Sequence, residues 1–123
     1  MTLIGFVTTG QGLASDMIDK LIKKGAYANF NPYNGTLNLS YKNLNPSFIK
    51  KMRNQIKSLP HFYDKEGNIY YTCIYKNIPL FLIDFKDKVE IMAEFKLRDI
   101  LNLTDGEMVV LEVEEWNFQP IQN

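Results

Sequence analysis

The chain has 123 residues, 46% hydrophobic and 23% charged, the balance of an ordinary globular domain that buries about two thirds of its unfolded surface. Fourteen Lys and Arg offset fourteen Asp and Glu, so no overall field draws the protein to nucleic acid or to an anionic membrane. A lone cysteine, Cys73, excludes an internal disulfide, and no run approaches the ~20 apolar residues of a membrane span. The start, Met1-Thr2-Leu3-Ile4-Gly5-Phe6-Val7, lacks the basic region and long apolar core of a secretory signal. The expectation is one cytoplasmic domain over 1–123, a monomer or small homo-oligomer.

Residues 3–8 form a compact apolar run that enters Thr8-Thr9-Gly10-Gln11-Gly12, which predicts a strand leading into a glycine-containing loop. Leu13, Met17, Ile18, Leu21 and Ile22 then recur at helical spacing, and Lys23-Lys24-Gly25 suits a helix C-terminus. Exposed amides at such a loop and helix start can bind phosphate. Read as residues alone, Gly10-x-Gly12 is equally a simple turn, and it lacks the Lys-Ser/Thr ending of a Walker loop.

The most informative stretch is Asn31-Pro32-Tyr33-Asn34-Gly35-Thr36-Leu37-Asn38-Leu39. Pro32 biases Asn31 to an extended backbone, and Asn34-Gly35 is the dipeptide that best tolerates positive φ, so the chain turns there. Residues 36–41 then alternate polar and apolar, which is strand periodicity. Strand side chains alternate faces, so Thr36 and Asn38 share one face and Leu37 and Leu39 the other. Two uncharged oxygen ligands beside an open turn suit a hard cation such as Mg²⁺. The alternative is the polar solvent face of an ordinary hairpin.

Asn45-Pro46 predicts a helix cap and first turn, with Phe48, Ile49, Met52 and Ile56 as the apolar stripe and Pro60 beyond the end. His61 reads as a surface or loop-packed residue, since no second ligand lies at metal spacing. Residues 64–68 read as a solvated hairpin tip. Residues 69–75 and 78–85 are rich in β-branched and aromatic side chains and predict strands, with Cys73 a buried, inert thiol. Tyr70, Tyr71 and Tyr75 fit cross-strand packing, with ligand stacking the alternative. A short strand over 89–93, a helical segment over 96–101 and a last strand over 108–115 ended by Trp116 complete the chain. Six or seven short strands with two or three small helices predict an all-β fold, a β-barrel with helical insertions.

Four segments in this order resemble the archaeal CTP-dependent riboflavin kinase family. Val7-Thr8-Thr9-Gly10-Gln11-Gly12-Leu13-Ala14 resembles its glycine-rich nucleotide loop, and Pro32-Tyr33-Asn34-Gly35-Thr36-Leu37-Asn38-Leu39 is similar to its Pro-Tyr-x-Gly-Thr-Leu-Asn-Leu signature. Glu90-Ile91-Met92-Ala93 looks like its flavin-side strand. Lys96-Leu97-Arg98-Asp99, with the Asp105-Gly106 turn, resembles its Lys-Leu-Arg-Glu segment. The resemblance implies a six-stranded cradle-loop barrel that transfers the γ-phosphoryl of CTP to riboflavin, giving FMN and CDP. It implies Thr36 and Asn38 as Mg²⁺ ligands, and Thr9, Gly10, Gln11, Gly12, Leu13, Ala14, Lys96, Leu97, Arg98 and Asp99 as nucleotide contacts. Glu90 is implied as a flavin contact and is also the candidate general base. Without the family, Lys96 and Arg98 read as a solvated helix face.

Two departures from the family stand out. Thr8-Thr9 replaces a glycine upstream of the loop, and the stretch Asp84-Phe85-Lys86-Asp87-Lys88 is short, without the threonine that contacts flavin in the family. The second departure keeps open a same-fold kinase acting on another small alcohol. A non-catalytic cradle-loop barrel for dimerisation or DNA binding is the alternative from a different class, and neutral charge argues against its DNA-binding form.

Overall fold

The computed structural model describes residues 1–9, 33, 35–64 and 66–117. Eight strands and two helices lie among them: β1 Thr2–Thr8, β2 Leu37–Ser40, α1 Pro46–Lys57, β3 His61–Tyr63, β4 Ile69–Tyr75, β5 Ile78–Asp84, β6 Lys88–Met92, α2 Leu97–Ile100, β7 Met108–Glu112 and β8 Glu114–Glu115. The helix expected after Gly12 and the Asn34 half of the expected turn lie outside the described residues.

All seven strand pairings are antiparallel and run in the order β3-β4-β5-β6-β2-β1-β7, with β8 on β4. The order returns on itself. β7 lies on β1, and after the single residue Val113 the chain pairs as β8 with Cys73 and Ile74 of β4. The circuit β1, β2, β6, β5, β4 and β7–β8 is the one a six-stranded barrel requires, and it leaves few strand edges unpaired.

Two-residue periodicity divides the sheet into an inner and an outer face. Leu3, Val7, Leu37, Leu39, Val89, Ile91, Leu80, Leu82 and Leu111 all sink into one apolar cluster. The alternate positions of β3, β4, β5 and β6 build a second, aromatic-rich cluster of Phe62, Tyr70, Phe81, Ile83 and Met92. Phe62 stacks on Tyr70 at 5.1 Å between centroids and His61 lies 5.6 Å from the Tyr71 ring, so cross-strand packing accounts for these two tyrosines. Cys73 is fully buried, and burial pushes its thiol up to about 12, which leaves it protonated and inert.

α1 forms where its signals lie. The Asn45 side chain accepts hydrogen bonds from the Ser47 and Phe48 amides at 2.8 and 3.4 Å, Pro46 opens the first turn, and Met52 and Ile56 are buried. Arg53 fixes the helix to the sheet through a fork of hydrogen bonds to Asp84 at 3.2–3.3 Å, and Tyr41 donates to the same carboxylate. Burial and that carboxylate push the Tyr41 hydroxyl well above its ordinary value.

Three details differ from the sequence reading. His61 is a surface residue, as one of its two readings has it, but it opens the edge strand β3 rather than lying in a loop, with Phe62 buried beside it. Three residues are too few for periodicity to announce a strand. The tip at 64–68 is organised rather than merely solvated. Asp64 accepts from the Glu66 and Asn68 amides, the Asn68 side chain and the Tyr70 hydroxyl, and these bonds hold its carboxyl below the usual range against the cost of burial. The final strand breaks at Val113, whose amide and carbonyl turn to Met1.

Gly5 marks the closest approach of β1 to β2. A Cβ built there would lie 2.6 Å from Leu39 Cβ and 3.0 Å from the Ser40 carbonyl. Gly5→Ala should therefore lower stability by about 1–3 kcal/mol through overpacking, read as a lower denaturant midpoint with unchanged slope.

Candidate active site

The segment entering β2 is pinned before the strand begins. The Tyr33 amide donates to the Ala93 carbonyl at 2.8 Å, which ties this segment to the end of β6. Gly35 follows at φ +149°, and a Cβ there would meet the Tyr33 ring at 3.2 Å, so the glycine is needed for both conformation and space. The chain then delivers Thr36 and the first residues of β2 to a pocket of about 240 Å³.

Pleating puts Thr36 and Asn38 side by side. Asn38 Nδ2 donates to Thr36 Oγ1 at 3.3 Å and to the Thr36 carbonyl at 3.4 Å. Asn38 is 4% exposed, yet its Oδ1 has no hydrogen-bond partner among the described residues. An unpaired buried amide oxygen costs roughly 1–3 kcal/mol, so this atom calls for an explanation.

The β2–β6 register sets Glu90 directly opposite Asn38. Glu90 is 1% exposed; Oε1 lies 3.4 Å from the Lys88 ammonium, and Oε2 has no partner. Burial raises the Glu90 carboxyl above its ordinary value, and the Lys88 charge pulls the other way. Thr8, opposite Asn38 on β1, and Ile83, opposite Glu90 on β5, complete this row across the sheet.

The far wall of the pocket comes from 95–98. Lys96 and Arg98 line the same pocket as Thr36, with Tyr33 and Phe95 as aromatic flanks. Leu97 is buried in the inner core and anchors α2. Asp99 is exposed and pairs loosely with Lys96 at 3.8 Å, a surface contact worth little. Asn102, at φ +55°, ends the helix while the Leu103 amide returns to the Arg98 carbonyl at 2.9 Å.

Asp105 joins two of the segments that the sequence singled out. It accepts from Arg98 Nη2 at 2.8 Å and from Thr9 Oγ1 at 3.4 Å. Reciprocal 2.8 Å bonds between Val7 and the 106–107 backbone hold this turn against the end of β1. Thr9 is exposed there, whereas Gly10, Gln11, Gly12, Leu13 and Ala14 lie outside the described residues. Sequence reasoning missed the joining role of Asp105 and the pairing of Lys88 with Glu90. The Asp-Gly dipeptide signals a turn but not what the turn touches.

The oxygen pair of Thr36 and Asn38 is hard, with no thiolate or imidazole, and suits a hard divalent cation better than zinc. Among the described residues, no group of three or more His, Cys, Asp or Glu side chains could hold a metal. No helix there is long and apolar enough to cross a membrane.

Two comparisons bear on this arrangement. The chain is similar to a riboflavin kinase of Methanobrevibacter smithii, 31% identical over 125 residues, covering 91% of this chain and 99% of that protein. A riboflavin kinase of Methanosphaera stadtmanae is 26% identical over 127 residues, covering 90% of this chain and 96% of the other. The family model for CTP-dependent riboflavin kinases, described as domain of unknown function DUF120, matches residues 10–113. That match takes in β2, β6, α2 and the 105–106 turn together, and the chain belongs to the CTP-dependent riboflavin kinase family.

Proposed function

We propose that this protein transfers the γ-phosphoryl group of CTP to the 5′-hydroxyl of riboflavin, giving FMN and CDP, with Mg²⁺ as the cofactor. The observation that carries the reading is the meeting of Thr36 with Lys96 and Arg98 in one pocket, with Asn38 joined to it through its side-chain bond to Thr36 Oγ1. Similarity to two riboflavin kinases over nearly the whole chain supports riboflavin as acceptor. CTP as donor rests on the family.

Phosphoryl transfer asks for positioning and charge neutralisation more than for covalent chemistry. Lys96 and Arg98 bring two cations to the pocket, and Asp105 orients the Arg98 guanidinium while leaving its other nitrogens for phosphate. Thr36 Oγ1 and Asn38 Oδ1 would hold Mg²⁺, which when bound neutralises phosphate charge. Thr9, with Gly10, Gln11, Gly12, Leu13 and Ala14 by the family resemblance, would contact the nucleotide. Tyr33 and Phe95 offer aromatic faces to the nucleotide. Glu90 Oε2 is an acceptor without a donor, and it would take the proton of the attacking hydroxyl. The new bond joins that oxygen to the γ-phosphorus as the bond to the CDP oxygen breaks.

One observation favours a second acceptor class. β5 and β6 are joined by 85–87 alone, in a turn closed by a 2.9 Å bond from the Phe85 amide to the Lys88 carbonyl. A turn this tight contributes little wall to an acceptor site, which suits a smaller alcohol in the same chemistry.

A nucleotide panel with riboflavin and Mg²⁺ tests the reading, with FMN measured by chromatography. FMN is expected with CTP, and no FMN with any nucleotide would sink it. Turnover of another alcohol without riboflavin would establish the second acceptor. Thr36→Ala and Asn38→Ala should each lower kcat by about 100-fold, the scale of losing a preorganised charge contact. Asn38→Ala should change stability by less than about 1 kcal/mol, since the amide it removes is only half satisfied. Full activity in both variants would remove the cation assignment.

Glu90 gives a pH signature. Its carboxyl titrates above the unfolded value of 4.5, so the folded chain holds a proton that the unfolded chain has lost. Its contribution is therefore greatest below 4.5 and declines as pH rises through the folded value. Glu90→Gln should abolish that decline, gaining stability relative to the parent at pH 7 but not at pH 4, read by denaturant midpoints, while it loses activity.

A further inference from the structure

Lys88 is an unusual residue for a barrel strand, because its long cationic side chain is only 16% exposed. Its ammonium lies 3.4 Å from Glu90 Oε1 and 5.4 Å from the centre of the Phe85 ring. The turn that closes β5 onto β6 brings the ring there, through the bond from the Phe85 amide to the Lys88 carbonyl. Lys88 and Glu90 share the outer face by strand alternation, and the residues opposite them on β2 are the uncharged Ser40 and Asn38. On β5 the neighbour of Glu90 is Ile83, and the next carboxylate, Asp84, is taken up by Arg53 and Tyr41. Among the described residues, Lys88 is therefore the charge that answers Glu90.

Fixing a lysine between a ring and a carboxylate costs rotamer freedom and desolvation, and a buried pair of this kind adds little net stability. What it does supply is direction. One carboxylate oxygen is engaged and the other, Oε2, is left without a partner. We infer that Lys88 is a positioning residue for the phosphoryl acceptor: by holding Oε1 of Glu90 it leaves Oε2 as the oxygen presented to the acceptor hydroxyl. The inference rests on the kinase reading above and extends it to a residue that touches neither nucleotide nor cation. The short 85–87 turn, which trims the acceptor wall, is also what places the Phe85 ring under the ammonium. The cation and the ring act together to keep the Lys88 side chain from swinging to solvent.

The test is steady-state kinetics with CTP and riboflavin on the parent chain, Lys88→Met, Lys88→Gln, Lys88→Arg, Glu90→Gln and the double variant Lys88→Met/Glu90→Gln, with thermal midpoints measured alongside. Lys88→Met and Lys88→Gln should lower kcat by about tenfold or more while the KM for CTP stays within about twofold. Lys88→Arg, which keeps the charge, should retain most of the turnover. Adding Lys88→Met to Glu90→Gln should cost less than about a further twofold, because Lys88 acts through the carboxylate already removed. Parent-like turnover in both neutral variants overturns the inference. So does a loss confined to the KM for CTP, or an equal loss in both backgrounds. If the parent chain makes no FMN with any nucleotide, the kinase reading falls and takes this inference with it. An active parent with indifferent Lys88 variants overturns this inference alone.

Discussion

The register of β2 against β6 is the constraint on which the site depends. Leu37 faces Ile91 and Leu39 faces Val89, and all four are 0–2% exposed in the inner core. Asn38 and Glu90, between them, are thereby forced to the outer face and opposite each other. A slip of one residue in either strand would turn its two core side chains outward and drive Asn38 or Glu90 towards the apolar inner face. Apolar burial worth about 1.5–3 kcal/mol per large side chain defends the register, and the polar pair follows without contributing to it. Hydrophobic energy here serves to aim polar atoms.

Those polar atoms are held against their own preferences. Asn38 Oδ1 and Glu90 Oε2 are buried without partners among the described residues. Thr72 shows the contrast: it is equally buried, and its hydroxyl finds the Pro60 and Trp116 carbonyls. Asp64 and Asp84 each gather several donors. Unpaired acceptors destabilise a native state by amounts comparable to a sizeable part of its total stability. The pair survives because the strands carrying it are over-determined by two apolar clusters, one on each side of the sheet. A cation and a hydroxyl donor are the partners that would satisfy two such oxygens at once.

What could be read from the sequence follows the range of the physics involved. Local rules located α1 through Asn45, Pro46 and its apolar stripe, and located β1, β4 and β5 through long runs of strand-forming residues. The pleat alone put Thr36 and Asn38 on one face, and the 3.3 Å bond between their side chains is that geometry realised. β3 escaped because three residues carry no period, and the break at Val113 escaped because only Met1, at the other end of the chain, explains it. The meeting of Glu90 with Asn38 and of Asp105 with Arg98 and Thr9 depends on which strands become neighbours. Topology decides that, and no window along the chain contains it.

The two halves of the site are built by different means, and this bears on which half can vary. On the proposed reading the donor side is assembled from separate pieces: Tyr33 is tied to Ala93 and the 105–106 turn to Val7 by backbone bonds, and 95–98 meets Thr36 across the pocket. A change in any one of them disturbs the others through the Tyr33–Ala93 and Val7–Gly106 bonds. On the proposed reading the acceptor side rests on a single hairpin, β5 to β6, whose connection of 85–87 is tied to the end of β2 by the 2.9 Å bond from the Tyr41 amide to the Asp87 carbonyl. The Asn38–Glu90 register is set further along β6, by Val89 and Ile91. On the proposed assignment, acceptor choice responds to changes in one turn, whereas the proposed nucleotide and cation contacts are coupled to the pairing of the sheet itself.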